Sequence, residues 1–106
     1  ALMDAVTAIS GSGPAYIFLL IECLTDAAEG LGLEQGLARQ LAEKTVAGAG
    51  AYAIASDEDA AELRRRVTSP GGTTEAALNV LQDQDSLAEL LREAVQAANK
   101  RGRELA

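Results

Sequence analysis

The run Ala15-Tyr16-Ile17-Phe18-Leu19-Leu20-Ile21 constrains the fold more than any other part of the sequence. It opens a predicted helix over Ala15 to Leu31 whose first half is apolar on every side. A helix that is apolar all round has to be buried all round. At 106 residues the chain has the length of one domain, which offers few places for such an element. The run therefore predicts that a second chain supplies part of the burial. It is too short to span a bilayer by itself.

Apolar residues make up 48% of the chain, but much of that is alanine, and the aromatics are only Tyr16, Phe18 and Tyr52. Small side chains give a core little volume, so the helices are expected to approach closely. The formal charge of −7 leaves no basic footprint and argues against a nucleic-acid partner. There is no histidine, which removes Ser–His and Cys–His nucleophile systems and histidine metal sites. The lone Cys23 forms no internal disulfide, so stability does not depend on an oxidising compartment. No signal peptide is apparent, and the cytoplasm is the expected location.

Along the chain, Met3 to Ser10 predicts a short helix with Asp4 near its positive end. Gly11-Ser12-Gly13 is expected to break it, with Ser12 capping the next helix and Pro14 in its first turn. Glu22, Asp26 and Glu29 share one face. A solvated stripe is favoured over a metal or acid–base site there, because no histidine or third ligand class joins them. Gly30 and Gly32 end the helix. Glu34 to Ala55 gives a second long helix, with Leu37, Leu41, Lys44, Gly48, Ala51 and Ala55 along one side. Gly48 and Gly50 are tolerable if another helix packs on the backbone there. The Gly48-Ala49-Gly50-Ala51-Tyr52-Ala53 pattern lacks the strand and turn that a dinucleotide site needs.

Ser56-Asp57-Glu58-Asp59 reads as a cap and acidic first turn for a short helix to about Arg66, with Leu63 and Val67 facing inward. Arg64-Arg65-Arg66 complements the dipole at its end, a role favoured over attraction of a phosphate. Ser86 and Glu89 read as a capping box for the last helix. Leu87, Leu90, Leu91, Ala94, Val95 and Ala98 form its apolar stripe. Lys100, Arg101 and Arg103 close it. No useful stretch alternates with period two, so the fold class is all-α.

Between the short helix and the last one lies Val67-Thr68-Ser69-Pro70-Gly71-Gly72-Thr73-Thr74-Glu75-Ala76-Ala77-Leu78-Asn79-Val80-Leu81-Gln82. Ser69 to Thr74 has turn composition, and from Thr73 a helix is predicted to about Asp83. A glycine turn opening into a helix leaves several N–H groups unpaired at the positive end of the dipole. That end suits a carboxylate or phosphate, and Ser69, Thr73 and Thr74 add hydroxyls. No Lys or Arg lies in the turn, so it is not a nucleotide P-loop. By residue physics alone a connecting turn outweighs a ligand loop.

This stretch resembles the signature of the pyrroline-5-carboxylate reductase family, whose C-terminal domain carries a Ser-Pro-Gly-Gly-x-Thr loop before a small-residue helix. Asp4-Ala5-Val6-Thr7-Ala8-Ile9-Ser10-Gly11-Ser12-Gly13-Pro14-Ala15-Tyr16 resembles a second family block, in family order and at about the family's separation. The resemblance implies an enzyme that reduces 1-pyrroline-5-carboxylate to L-proline, with a hydride from NADPH or NADH. It implies that residues 1–106 are the helical dimerisation and substrate-binding domain, a bundle forming an interleaved homodimer. Assembly of five dimers into a decamer stays open. The dinucleotide-binding domain that would hold most of the cofactor is expected to precede this chain and to be absent from it, so the chain alone is expected to be inactive.

By the family's pattern, Thr74 would be catalytic, with its hydroxyl on the ring nitrogen. The N–H groups of Thr73 and Thr74 and the Ser69 hydroxyl would hold the substrate carboxylate. Gly71 and Gly72 would let the substrate approach the backbone, and Val67 would line the nicotinamide pocket. No metal, nucleic acid or membrane is implied. Two other readings stay open: a non-catalytic helical dimerisation module, and the helical domain of another NAD(P)-dependent dehydrogenase.

Overall fold

A computed structural model describes residues 2–106, and every regular element among them is helical. Where length predicts one domain, the chain packs as two compact units. One comprises residues 2–12 with Glu58–Ala106, the other Gly13–Asp57.

The chain opens with α1 (Leu2–Val6), followed by a π-helical turn (Thr7–Gly11) and α2 (Gly13–Gly30). The expected break at Gly11-Ser12-Gly13 does not occur. Ser12 keeps right-handed helical angles (φ −84°, ψ −25°). Its N–H donates to the Thr7 carbonyl at 2.8 Å, five residues back. The wider turn absorbs an extra residue without leaving the helical region. Ser12 therefore caps nothing, which corrects its expected role. The helical backbone runs from Leu2 to Gly30 and includes an 18-residue window of mean hydropathy 1.4. The apolar run is thus part of a longer stretch, which by length and composition alone could cross a membrane.

In the Gly13–Asp57 unit, α2 ends as the glycines predict. Gly32 takes φ +98°. Leu33 N–H donates to the Ala28 carbonyl at 3.2 Å and Gly32 N–H to that of Glu29 at 2.9 Å. This paired arrangement is the Schellman motif, in which a left-handed glycine satisfies the last carbonyls. α3 (Gln35–Ala55) follows at once, because Glu34 caps it. Its carboxylate accepts from Gly36 N–H at 2.8 Å and from Leu37 N–H at 3.0 Å. These two bonds, Gly36 first, hold the Glu34 carboxyl below the ordinary glutamate range.

α2 and α3 pack together, and Ala38 and Ala42 are the buried residues of α3. Leu37 and Leu41, on the side that also carries Lys44 and Gly48, are both exposed. Alanine on the seam lets the two backbones approach, leaving the larger side chains outside. The apolar run is not buried within the chain: Ile17 is 43% exposed and Phe18 65%. Nothing lies within 4 Å of where a side chain would begin at Gly48 or Gly50, so neither glycine is explained by packing within this chain.

In the other unit, α6 (Ser86–Leu105) packs on α1 and the π turn, burying Ala8. Gly102 lies close to α1: a Cβ there would meet Asp4 Oδ1 at 3.2 Å. α4 spans Ala60–Arg66 and buries Leu63. Its cap is Asp59, not Ser56: Asp59 Oδ1 accepts from Glu62 N–H at 2.9 Å. Ser56 instead closes α3, with its N–H on the Tyr52 carbonyl at 3.0 Å. Arg65 pairs with Glu62, and Arg66 with Glu58 and Glu62, so the basic run is largely engaged in ion pairs.

α5 (Thr73–Leu81) stops short of the predicted Asp83, and a 3₁₀ turn covers Asp83–Asp85. Gln84 and Asp85 take left-handed angles (φ 52° and 56°). The reversal makes Ser86 the first helical residue of α6, so its hydroxyl points back and donates to the Leu81 carbonyl at 3.0 Å. The expected Ser86–Glu89 capping box is absent, and Glu89 pairs with Arg92.

Candidate functional site

Ser69 to Thr74 connects α4 to α5 through a tight turn. Gly72 N–H donates to the Ser69 carbonyl at 3.0 Å, and Gly71 has φ +74°. Proline second and a positive-φ glycine third are the pattern of a type II turn. Gly72 needs glycine for a different reason: a Cβ there would meet the Ser69 carbonyl oxygen at 3.2 Å and Ser69 Cβ at 3.5 Å. The turn folds Ser69 back against the start of α5.

Gly72 is the N-cap of α5, extended (φ −92°, ψ −173°) and without a capping side chain. Its carbonyl accepts the first helical bond, from Ala76 N–H at 3.3 Å. The N–H groups of Thr73, Thr74 and Glu75 are the donors that a first turn leaves unpaired. A serine, threonine or aspartate cap would satisfy one of them, whereas glycine supplies no acceptor. The positive end of the helix is thus open, with the Ser69, Thr73 and Thr74 hydroxyls beside it.

Of the predicted residues, Ser69, Gly71, Thr73 and Thr74 are exposed and Gly72 is half-buried. The turn gathers all five at one end of α5. Val67 does not face inward as expected. It is the residue that closes α4 (φ −101°, ψ 12°), so its side chain leaves the helix face that buries Leu63 and is 61% exposed. Glu22, Asp26 and Glu29 are exposed as predicted. Among the described residues no three His, Cys, Asp or Glu side chains come together as metal ligands.

Sequence reasoning missed Glu75. Its Oε1 accepts from Gly71 N–H at 3.1 Å, so the third residue of α5 reaches back to the turn. The signal was present: a Glu three residues after the cap is the second half of a capping box. Glycine in the first half hid it. A groove of about 910 Å³ lies alongside, between α4 and α5, with Glu58, Glu62, Arg64, Arg65, Pro70 and Glu75 on its walls. None of the six predicted site residues lines it, although Pro70 and Glu75, which flank them, do.

Known proteins agree with this architecture. A family model described as pyrroline-5-carboxylate reductase dimerisation matches residues 1–105. The pyrroline-5-carboxylate reductase of Pseudomonas aeruginosa is 52% identical over 106 residues, covering 100% of this chain and 38% of that protein. The solved structure of a pyrroline-5-carboxylate reductase from Coxiella burnetii superposes with a TM-score of 0.93 at 48% identity, over 97% of this chain and 38% of that one. The Plasmodium falciparum pyrroline carboxylate reductase, solved with NADP bound, gives a TM-score of 0.91 at 37% identity over 96% of this chain and 38% of that one. The chain thus spans about two fifths of the length of these relatives. The match sets aside the helical domain of an unrelated dehydrogenase. With two motifs in register, an all-helical fold and these matches, the chain belongs to the pyrroline-5-carboxylate reductase dimerisation family.

Proposed function

We propose that this chain is the dimerisation and substrate-binding part of a cytoplasmic enzyme that reduces 1-pyrroline-5-carboxylate to L-proline. The observation that carries the reading is the glycine-capped start of α5, where the N–H groups of Thr73 and Thr74 lie open beside the Ser69 hydroxyl. Those donors suit a carboxylate at the positive end of a helix. Gly71 and Gly72 allow the substrate to approach the main chain closely. With the carboxylate fixed, the Thr74 hydroxyl bonds the ring nitrogen and orients the C=N bond.

When bound, NADPH or NADH supplies a hydride to the ring carbon of that C=N bond. The residues of this chain contribute orientation and charge stabilisation. Val67, exposed two residues before the turn, would touch the nicotinamide. No strand occurs among the described residues, so the strand–glycine turn–helix cradle of a dinucleotide site is not built from them. The cofactor is held by a nucleotide-binding domain outside these 106 residues. A homodimer covers the exposed run at Ile17 to Leu20, and assembly to a decamer is compatible with that unit.

The test is pyrroline-5-carboxylate-dependent oxidation of NADPH. The intact enzyme turns over, and the 106-residue chain alone does not. An intact enzyme that dimerises without oxidising NADPH would leave a non-catalytic dimerisation module as the answer.

A further inference from the structure

We propose that Glu75 is a positioning residue for the substrate loop: its carboxylate fastens Gly71 N–H and holds the turn in the form that leaves the Thr73 and Thr74 N–H groups free. The inference rests on the reading of this loop as the carboxylate-binding end of the active site. In an ordinary capping box the Glu at this position bonds the N–H of the capping residue. Here the Gly72 N–H already donates to the Ser69 carbonyl at 3.0 Å. Glu75 therefore reaches one residue further, to Gly71 N–H at 3.1 Å.

The two bonds fasten the loop from both sides. One ties Ser69 to Gly72 and the other ties Gly71 to the first turn of α5. Between them lie two glycines, the residues with the most backbone freedom to lose. Without Glu75, Gly71 is held only by its own turn, and substrate binding has to order it. Preorganising a binding loop lowers that cost and shows in affinity.

The carboxylate has an opposing effect. It places a negative charge at the same helix end that receives the substrate carboxylate, and like charges repel. Glutamine separates the two effects, because it keeps an acceptor oxygen for Gly71 and removes the charge.

In the intact enzyme, Glu75→Ala should raise KM for pyrroline-5-carboxylate by roughly five- to tenfold, the weight of one modest hydrogen bond. The kcat and the KM for NADPH should stay unchanged. Glu75→Gln should restore KM to the wild-type value or below it. Hydrogen exchange of the Thr68–Glu75 segment supplies a readout independent of turnover. The Gly71 amide should exchange about tenfold faster in Glu75→Ala and at the wild-type rate in Glu75→Gln. Three results in an active wild-type background would each overturn the inference alone: an unchanged KM in Glu75→Ala, equal impairment in both variants, or unchanged exchange at Gly71. A wild-type enzyme without pyrroline-5-carboxylate-dependent oxidation would overturn the functional reading, and this inference with it.

Discussion

Thr74 occupies the second position of α5, where a residue can offer an N–H and a hydroxyl from one place. The N–H is fixed by the helix, while the hydroxyl turns about one bond. That pairing suits a ligand with a carboxylate next to a ring nitrogen. Thr74→Ala removes the hydroxyl and keeps the N–H. Loss of one hydrogen bond of about 1.5 kcal/mol corresponds to roughly tenfold in kcat/KM. Steady-state kinetics of the intact enzyme should show that loss or a greater one, and wild-type kinetics would remove Thr74 from the site. Thr74→Ser retains the hydroxyl and should recover most of the activity.

Among the elements, helix ends are where sequence and structure part company. Each long helix was legible from its apolar residues, and the end of α2 also from the glycines after it, as at Gly32. Three of the starts were not. Ser56, Ser86 and Ser12 all have the composition of caps, yet Asp59, Asp85 and no residue at all take those places. Composition identifies which residues can cap, whereas the backbone path decides which one does. Left-handed angles at Gln84 and Asp85 moved the start of α6 past the serine that was expected to cap it. The π turn removed a start altogether. The turn before α5 was legible because Pro70, Gly71 and Gly72 restrict it locally. The role of Glu75 depends on a bond already made by Gly72, and a linear reading does not see that competition.

Glu34 gives the same scale a pH test. Bonds from Gly36 and Leu37 N–H lower its folded carboxyl below the unfolded value. A depressed carboxyl contributes stability that is complete above the unfolded pKa and is lost as pH falls through the folded one. The thermal stability of the chain should therefore fall over the acid side of the glutamate range. Glu34→Gln should lower Tm at neutral pH and flatten that part of the profile. Parallel profiles for the two proteins would mean that the cap contributes nothing.

For the whole molecule, the decisive feature is what the chain leaves uncovered. Its buried apolar residues are Ala8, Ala38, Ala42 and Leu63, while Ile17, Phe18, Leu19 and Leu20 remain exposed. Contiguous apolar surface of this kind marks an interaction site. Light scattering across a dilution series should give a dimer, or a multiple of one, that persists at low concentration. Phe18→Asp places a charge in that surface and should shift the mass toward the monomer with loss of helicity. A well-folded wild-type monomer would mean that the run needs no second chain.

The bare glycine at the start of α5 has a thermodynamic consequence. A helix without its own cap is incomplete, and under the proposed function a bound carboxylate would supply the missing acceptor. Folding of the loop and occupancy by a ligand are then linked: a small carboxylate at about a hundred times its Kd adds about 2.7 kcal/mol of stability. Proline should raise the melting temperature of the intact enzyme in a saturable way, and pyrrolidine, which has the ring but no carboxylate, should not. If the proposed site is right, such a helix end is finished only when its ligand is present, and a gain in heat resistance reports occupancy before any chemistry takes place.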